Sequence, residues 1–329
     1  MPIADPVDRY DDFVPVYVPP QPRPRRLWLH WLLFLLTLAS TTFVGAEMFA
    51  YYEVDVATLL AMAPADQQQW ATDLFGRPSF YFNGFWYSLT ILTILGCHEM
   101  GHYIACLRYR VEVSLPFFLP APITLTGTLG AFIRIRSRIP GKIALFDIGI
   151  AGPIAGFVIA VPALFAGLWM SKVVPIPEDS SGLLELGEPL LFQFAAWTIW
   201  GDVPAGQTIS MHPMAFAAWF GLLATALNLF PISQLDGGHI SYAVLGRRST
   251  WVTLATMVVV VGLAFFSLSW VVWAILLGAM IFVLGPHHPP TLDEDEPLDQ
   301  GRLILAGIAL LMLIVCFTPA PIGEFIGSP

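Results

Sequence analysis

Charge is scarce in this chain. Lysine, arginine, aspartate and glutamate together supply 12% of its 329 residues, against 56% hydrophobic residues and a mean hydropathy of +0.70. That balance excludes an ordinary soluble globular domain and points to a polytopic membrane protein. No basic stripe interleaved with aromatics is present, so nothing suits a nucleic-acid partner. Cysteine is rarer still: Cys97, Cys106 and Cys316 show no CxxC spacing and fall in apolar segments. They exclude a disulfide framework and read as small buried residues. Repeats at solenoid periods are missing, and no segment between the apolar runs is long enough for a folded soluble domain. The first 26 residues are polar and proline-rich without an early apolar core, so the first apolar run is expected to stay as an anchor rather than be cleaved. The net charge of −9 resides mostly in tails and loops such as Asp293-Glu294-Asp295-Glu296, which reads as a solvated segment.

What abounds is apolar sequence in runs of bilayer-crossing length, about 20 residues for a helix. Residues 27 to about 50, 80 to 107, 143 to 170 and 211 to 230 each qualify. The run 251–284 is too long for one span and reads as a tight pair turning at Ser267 and Ser269; 303 to about 317 completes seven. With the N-terminus inside, thirteen of the fifteen lysines and arginines fall on the cytoplasmic side, leaving Arg77 and Lys172 opposite. The expected fold class is therefore an all-α polytopic membrane protein with about seven transmembrane helices, in a prokaryotic cytoplasmic membrane. It divides into a cytoplasmic tail (1–26), a first helix with its external loop (27–79), a membrane core (80–246), and C-terminal helices with an acidic cytoplasmic loop (247–329). The apolar segment 190–200 is too short to span and is expected to lie along the outer interface.

Between the second and third spans, Val111 to Arg138 is neither a good helix nor a hydrophilic loop. Pro116, Pro120 and Pro122 argue against helix, and Ile133, Ile135 and Ile139 alternate with Arg134, Arg136 and Arg138 at the period of a strand. Irregular backbone at membrane depth is tolerated only against protein or a water-filled cavity. The segment therefore reads as a re-entrant β-like hairpin.

Two short strings place metal-binding side chains inside apolar sequence: His98-Glu99-Met100-Gly101-His102 and Leu235-Asp236-Gly237-Gly238. An ionisable side chain in lipid costs at least about 2.5 kcal/mol, so one that stays there has a partner and a task. On a helix, His98 and His102 share one face and present two imidazoles to one ion, with Glu99 beside them as a base. A catalytic zinc site takes three protein ligands and leaves a fourth position for water. Asp236 is the best candidate for the third: it follows the proline-broken stretch Asn228-Leu229-Phe230-Pro231-Ile232 and precedes two glycines, where backbone can bend toward an ion. His239 is its rival, or else a residue near the surface, while His287 and His288 read as solvated. Asp147 is membrane-embedded on this reading and is expected to pair with an arginine of the hairpin.

The ordered set HEMGH, Phe146-Asp147-Ile148-Gly149-Ile150-Ala151-Gly152-Pro153-Ile154-Ala155-Gly156 and NLFPISQLDGG resembles the site-2 protease family of intramembrane zinc metalloproteases, over about 80–246. The resemblance implies Zn2+ held by His98, His102 and Asp236, and water activated by Glu99. It also implies a single-span or membrane-anchored protein substrate, cut in or near its transmembrane helix. That substrate would be held as an added strand on the hairpin, making Gly127, Gly130, Ile133 and Ile135 candidate substrate-binding residues, with Asn228 near the metal. PDZ and CBS domains, carried by many such proteases, find no room between the spans. A divalent-metal transporter using the same cluster is the non-enzymatic alternative.

Overall fold

A computed structural model describes residues 27–54, 58–59, 62–177, 184–291, 293 and 296–324. The proline-rich tail 1–26 and Glu294 and Asp295 of the acidic stretch lie outside the described residues. Helices dominate. In chain order they are α1 (Leu27–Val54), α2 (Pro64–Phe75), α3 (Pro78–Arg108), α4 (Lys142–Trp169), α5 (Leu190–Trp200), α6 (Pro213–Asn228), α7 (Asp236–Leu245), α8 (Ser249–Leu263), α9 (Leu268–Leu284) and α10 (Gln300–Cys316).

Local chemistry sets several of these boundaries. Pro64, Pro78 and Pro213 occupy the first turns of α2, α3 and α6, where the missing N–H costs nothing. Asp299 caps α10 by accepting from the Arg302 amide at 3.1 Å. The apolar run 251–284 is indeed two helices, α8 and α9, and the Ser267 and Ser269 hydroxyls bond to each other at 2.8 Å at the turn.

Among the described residues, three helices are long and apolar enough to cross a membrane: α1, α4 and the nearly continuous Asp236–Leu263, in which a short 3-10 turn joins α7 to α8. Four shorter apolar helices, α5, α6, α9 and α10, accompany them. The longest helix, α3, has 31 residues; its tyrosines, asparagine, histidines and glutamate dilute its hydropathy. Apolar burial adds little to helix association in lipid, so close approach of small residues does the joining. A Cβ on Gly84 of α3 would fall 2.0 Å from the Thr42 carbonyl of α1, and one on Gly101 would fall 2.4 Å from the Ala151 carbonyl of α4. α4 thereby becomes the centre of the molecule, packed on α3, α6 and α7.

Among the described residues, six strands pair two by two. β1 (Phe117–Pro120) and β2 (Thr128–Phe132) form an antiparallel hairpin within the segment expected to be β-like. The register begins earlier than the Ile/Arg alternation suggests. β2 ends at Phe132, and looser pairing continues through the Ser114 amide on the Arg134 carbonyl at 3.0 Å, the Val113–Ile135 bridge and the Arg136 amide on the Glu112 carbonyl at 2.7 Å. The Ser137 hydroxyl then accepts from the Glu112 amide, ending the ladder before Arg138 and Ile139. The other two pairs were not foreseen: β3 (Lys172–Pro175) with β5 (Gln207–Ser210), and β4 (Leu184–Leu186) with β6 (Ile322–Glu324). Cys97, Cys106 and Cys316 are free thiols; the last two are buried and Cys97 is half-buried.

Candidate metal centre

The site forms where the C-terminal half of α3, the glycine-rich middle of α4, the end of α6 and the first turn of α7 meet. His98 and His102 lie one turn apart on α3 with Glu99 next to the first, and all three are less than one-tenth exposed. Asp236 opens α7 after a break in which Ser233 takes a left-handed conformation. Thr253 of α8 braces that break, donating to the Pro231 carbonyl and accepting from the Ser233 amide. A Cβ on Gly237 would fall 2.0 Å from the Leu229 carbonyl, so only glycine lets α7 start this close to the end of α6.

The result is convergence. His98 Nε2 and His102 Nε2 lie 3.1 Å apart, and Asp236 Oδ2 is 3.2 Å from the first and 3.3 Å from the second. A tetrahedral ion with bonds of about 2.0–2.1 Å has ligand atoms about 3.3 Å apart, so these three atoms describe one face of such a tetrahedron. Their protonation agrees. His102 Nδ1 lies 2.7 Å from the Ile148 carbonyl, which only accepts, so the ring proton sits on Nδ1 and Nε2 presents a lone pair. Buried lone pairs facing one another and a carboxylate call for a cation. Among the described residues these are the one group of three with metal-binding geometry.

The Ile148 bond depends on Gly152. In a helix the side chain at i+4 shields the carbonyl at i, and a Cβ at 152 would sit 2.1 Å from His102 Nε2. Glu99 is approached from another direction: the backbone N–H of Ile133, just past β2, faces its carboxyl group. Asn228, the last residue of α6, places its Nδ2 3.3 Å from His98 Nε2.

A family model described as Peptidase family M50 matches residues 86–269, over half of the chain and inclusive of both motifs. The chain belongs to peptidase family M50. Among relatives of this M50 chain, the "Probable zinc metalloprotease EGY1, chloroplastic" of Arabidopsis thaliana is 28% identical over 91% of this chain and 55% of that protein. Its namesake from Oryza sativa subsp. japonica is 30% identical over 92% of this chain and 52% of its own length. The "Probable zinc metalloprotease EGY2, chloroplastic" of Arabidopsis thaliana is 31% identical over 70% of this chain and 41% of that protein. The chain spans about half the length of these curated relatives. No solved structure matches it. The expected prokaryotic cytoplasmic membrane draws no support from relatives whose names place them in chloroplasts.

Several residues around the M50 motifs lie elsewhere than their sequence surroundings suggest. Asp147 pairs not with a hairpin arginine but with Arg302 of α10, at 2.8 Å from Nε and 2.7 Å from Nη2, and Tyr109 donates to the same carboxylate. The reason is topological: α10 returns against α4, 155 positions away in sequence. His288 is half-buried rather than freely solvated: its ring stacks on Tyr242 at 4.4 Å and bonds to His239 at 2.7 Å, while His287 is exposed. His239 stays outside the three-ligand group. Gly127 faces α1, where the Ser40 hydroxyl donates to its carbonyl at 2.7 Å, whereas Gly130 has open space around it. Two contributors had no signal of residue type, because the Ile133 amide and the Ile148 carbonyl are backbone groups. The spacing of Gly152 from Ile148 was the one available hint.

Proposed function

We propose that this chain is an intramembrane zinc metalloprotease that hydrolyses a peptide bond in or near a transmembrane helix of a membrane-anchored substrate, the final cut of regulated intramembrane proteolysis. The observation that carries it is the meeting of His98 Nε2, His102 Nε2 and Asp236 Oδ2 within 3.3 Å of one another beside a buried glutamate. When held by these three residues, zinc supplies Lewis acidity, polarising the scissile carbonyl and acidifying a water. Glu99 accepts the proton of the attacking water and returns it to the leaving amine, and the Ile133 N–H keeps its carboxylate aimed. His102 stays oriented through the Ile148 carbonyl, and Asn228 is placed to steady the substrate carbonyl.

The chain crosses the bilayer seven times on this reading, with α1, α3, α4, α6, α8, α9 and α10 as spans, and the β1–β2 hairpin enters the membrane beside the site. The metal lies toward the arginine-rich face. Gly130, Ile133 and Ile135 offer an extended segment to which an unwound substrate pairs as a strand, and the link from Ile133 to Glu99 brings that strand to the base. Gly127 serves this surface indirectly, by anchoring the hairpin to α1.

The test is co-reconstitution of the full chain with single-span substrates in vesicles, comparing wild type with Glu99→Gln. The variant is expected to retain zinc and to lose cleavage by about 100-fold or more. Equal cleavage by both proteins rejects Glu99 as the base. Zinc flux across the vesicle without proteolysis rejects the protease in favour of a transporter.

A further inference from the structure

His288 lies in the proline-rich loop between α9 and α10, 52 positions beyond Asp236 in sequence, yet its ring meets the helix that carries that ligand. Its partners dictate its tautomer. His288 Nδ1 lies 2.7 Å from the Pro289 carbonyl, an acceptor only, so the ring proton is on Nδ1 and Nε2 is bare. Burial lowers the His288 pKa from the ordinary imidazole value, which favours this neutral ring. His288 Nε2 therefore accepts from His239 Nδ1 across their 2.7 Å contact, and His239 is fixed with its proton on Nδ1. His239 follows Asp236 by three residues, nearly one turn of α7. The opposite side of His239 presses on α4: a Cβ on Gly149 would fall 2.9 Å from His239 Cβ. His239 is thus clamped between α4 and the loop.

Apart from this clamp, Asp236 is held through its neighbours, by the Gly237 contact with Leu229 and the Thr253 bonds to Pro231 and Ser233. It sits in the first turn of a ten-residue helix whose N-cap, Leu235, supplies no side-chain bond. Resting on the zinc reading above, we infer that His288 is a positioning residue for the metal carboxylate, acting through His239 to fix the first turn of α7. A metal ligand must be held within about 0.5 Å of its productive place, and groups one shell out from the ligands typically change metal affinity 10- to 100-fold when lost. A loop outside the two metal motifs would then govern how firmly the metal is held.

The test measures zinc affinity of the purified full chain by chelator competition, and the visible spectrum of the cobalt-loaded protein. His288→Leu keeps the bulk and removes the acceptor; it is expected to weaken zinc binding about tenfold and to alter the cobalt spectrum. His288→Gln places an amide oxygen near the position of Nε2 and is expected to restore affinity to within about threefold of wild type. A His239→Leu/His288→Leu double variant is expected to bind no more weakly than His239→Leu alone, because the two act in series. Wild-type affinity and spectrum in His288→Leu overturn the inference. Equal loss in His288→Leu and His288→Gln also overturns it, since packing rather than the hydrogen bond is then at work. Failure of the wild type to bind zinc overturns the metal reading itself.

Discussion

Replacing Gly152 with alanine is the sharpest single test of the site geometry. The new methyl carbon would sit 2.1 Å from His102 Nε2, 2.4 Å from Cδ2 and 2.5 Å from Cε1, about 1.3 Å short of the 3.4 Å at which ordinary contact begins. Withdrawal of α4 from α3 is opposed by its contacts with α6 and α7: a Cβ on Gly167 would fall 2.3 Å from the Ala215 amide nitrogen, and one on Gly149 would fall 2.9 Å from His239 Cβ. The imidazole must therefore swing, which breaks its bond to the Ile148 carbonyl and carries Nε2 away from Asp236. A displacement near 1 Å is about twice the tolerance of a metal site, and misplacement on that scale costs roughly 100-fold in rate. Gly156→Ala supplies the graded control. Its methyl would lie 3.2 Å from His98 Cβ, only about 0.2 Å inside ordinary contact, and is expected to cost less than about threefold. Zinc stoichiometry, chelator competition and cleavage of a reconstituted substrate are measured on both variants. If Gly152→Ala holds zinc and cleaves like wild type, the imidazole is not where this structure puts it and the ligand assignment falls.

Asp236→Asn is expected to lose zinc at concentrations where Glu99→Gln retains it; a shared loss would place Glu99 among the ligands rather than at the base. Arg302→Leu removes both guanidinium bonds to Asp147 and is expected to cost about 1–3 kcal/mol of stability, read as a lower melting temperature in detergent. The Asp147→Asn/Arg302→Leu double variant should lose less than the sum of the singles, and strict additivity would show that the pair does not couple. Gly130 has φ +100° with nothing near a Cβ, so Gly130→Ala strains the hairpin without touching the ligands. It is expected to slow substrate cleavage severalfold with unchanged zinc affinity, and a loss of zinc instead would sever the hairpin from substrate handling.

Much of the helical frame was legible because apolar runs and prolines are local signals. Residues 80 to 107 and 143 to 170 anticipate Pro78–Arg108 and Lys142–Trp169 closely, and the serine pair marks the break before Leu268. The two-stranded pairs β3–β5 and β4–β6 were not legible. Their strands have three or four residues each, too few for a period-two pattern, and β6 finds its partner far back along the chain. At the metal centre the histidine spacing is a property of one helix and can be read directly. Asp236 needed a second motif, and the partners behind the ligands were hidden for two reasons. Ile148 and Ile133 act through their backbones, and the bonds Asp147–Arg302 and His239–His288 join residues 155 and 49 positions apart.

The ligands are not anchored alike, and the difference follows from where each stands. His98 and His102 lie within a 31-residue helix, away from its ends, on a face packed against α4, so their Cα positions are fixed by the fold. Asp236 stands in the first turn of α7, just after the non-helical stretch 229–235, where the first four amides have no helical partner and the restraint must come from outside. Gly237 supplies part of it by contact with the end of α6, and the His239–His288 pair supplies part through the loop. Changes in α3 should therefore act on the site nearly all or none, while changes around α7 should grade its affinity. On the proposed ligand assignment, the carboxylate is the ligand through which the rest of the chain would adjust the metal.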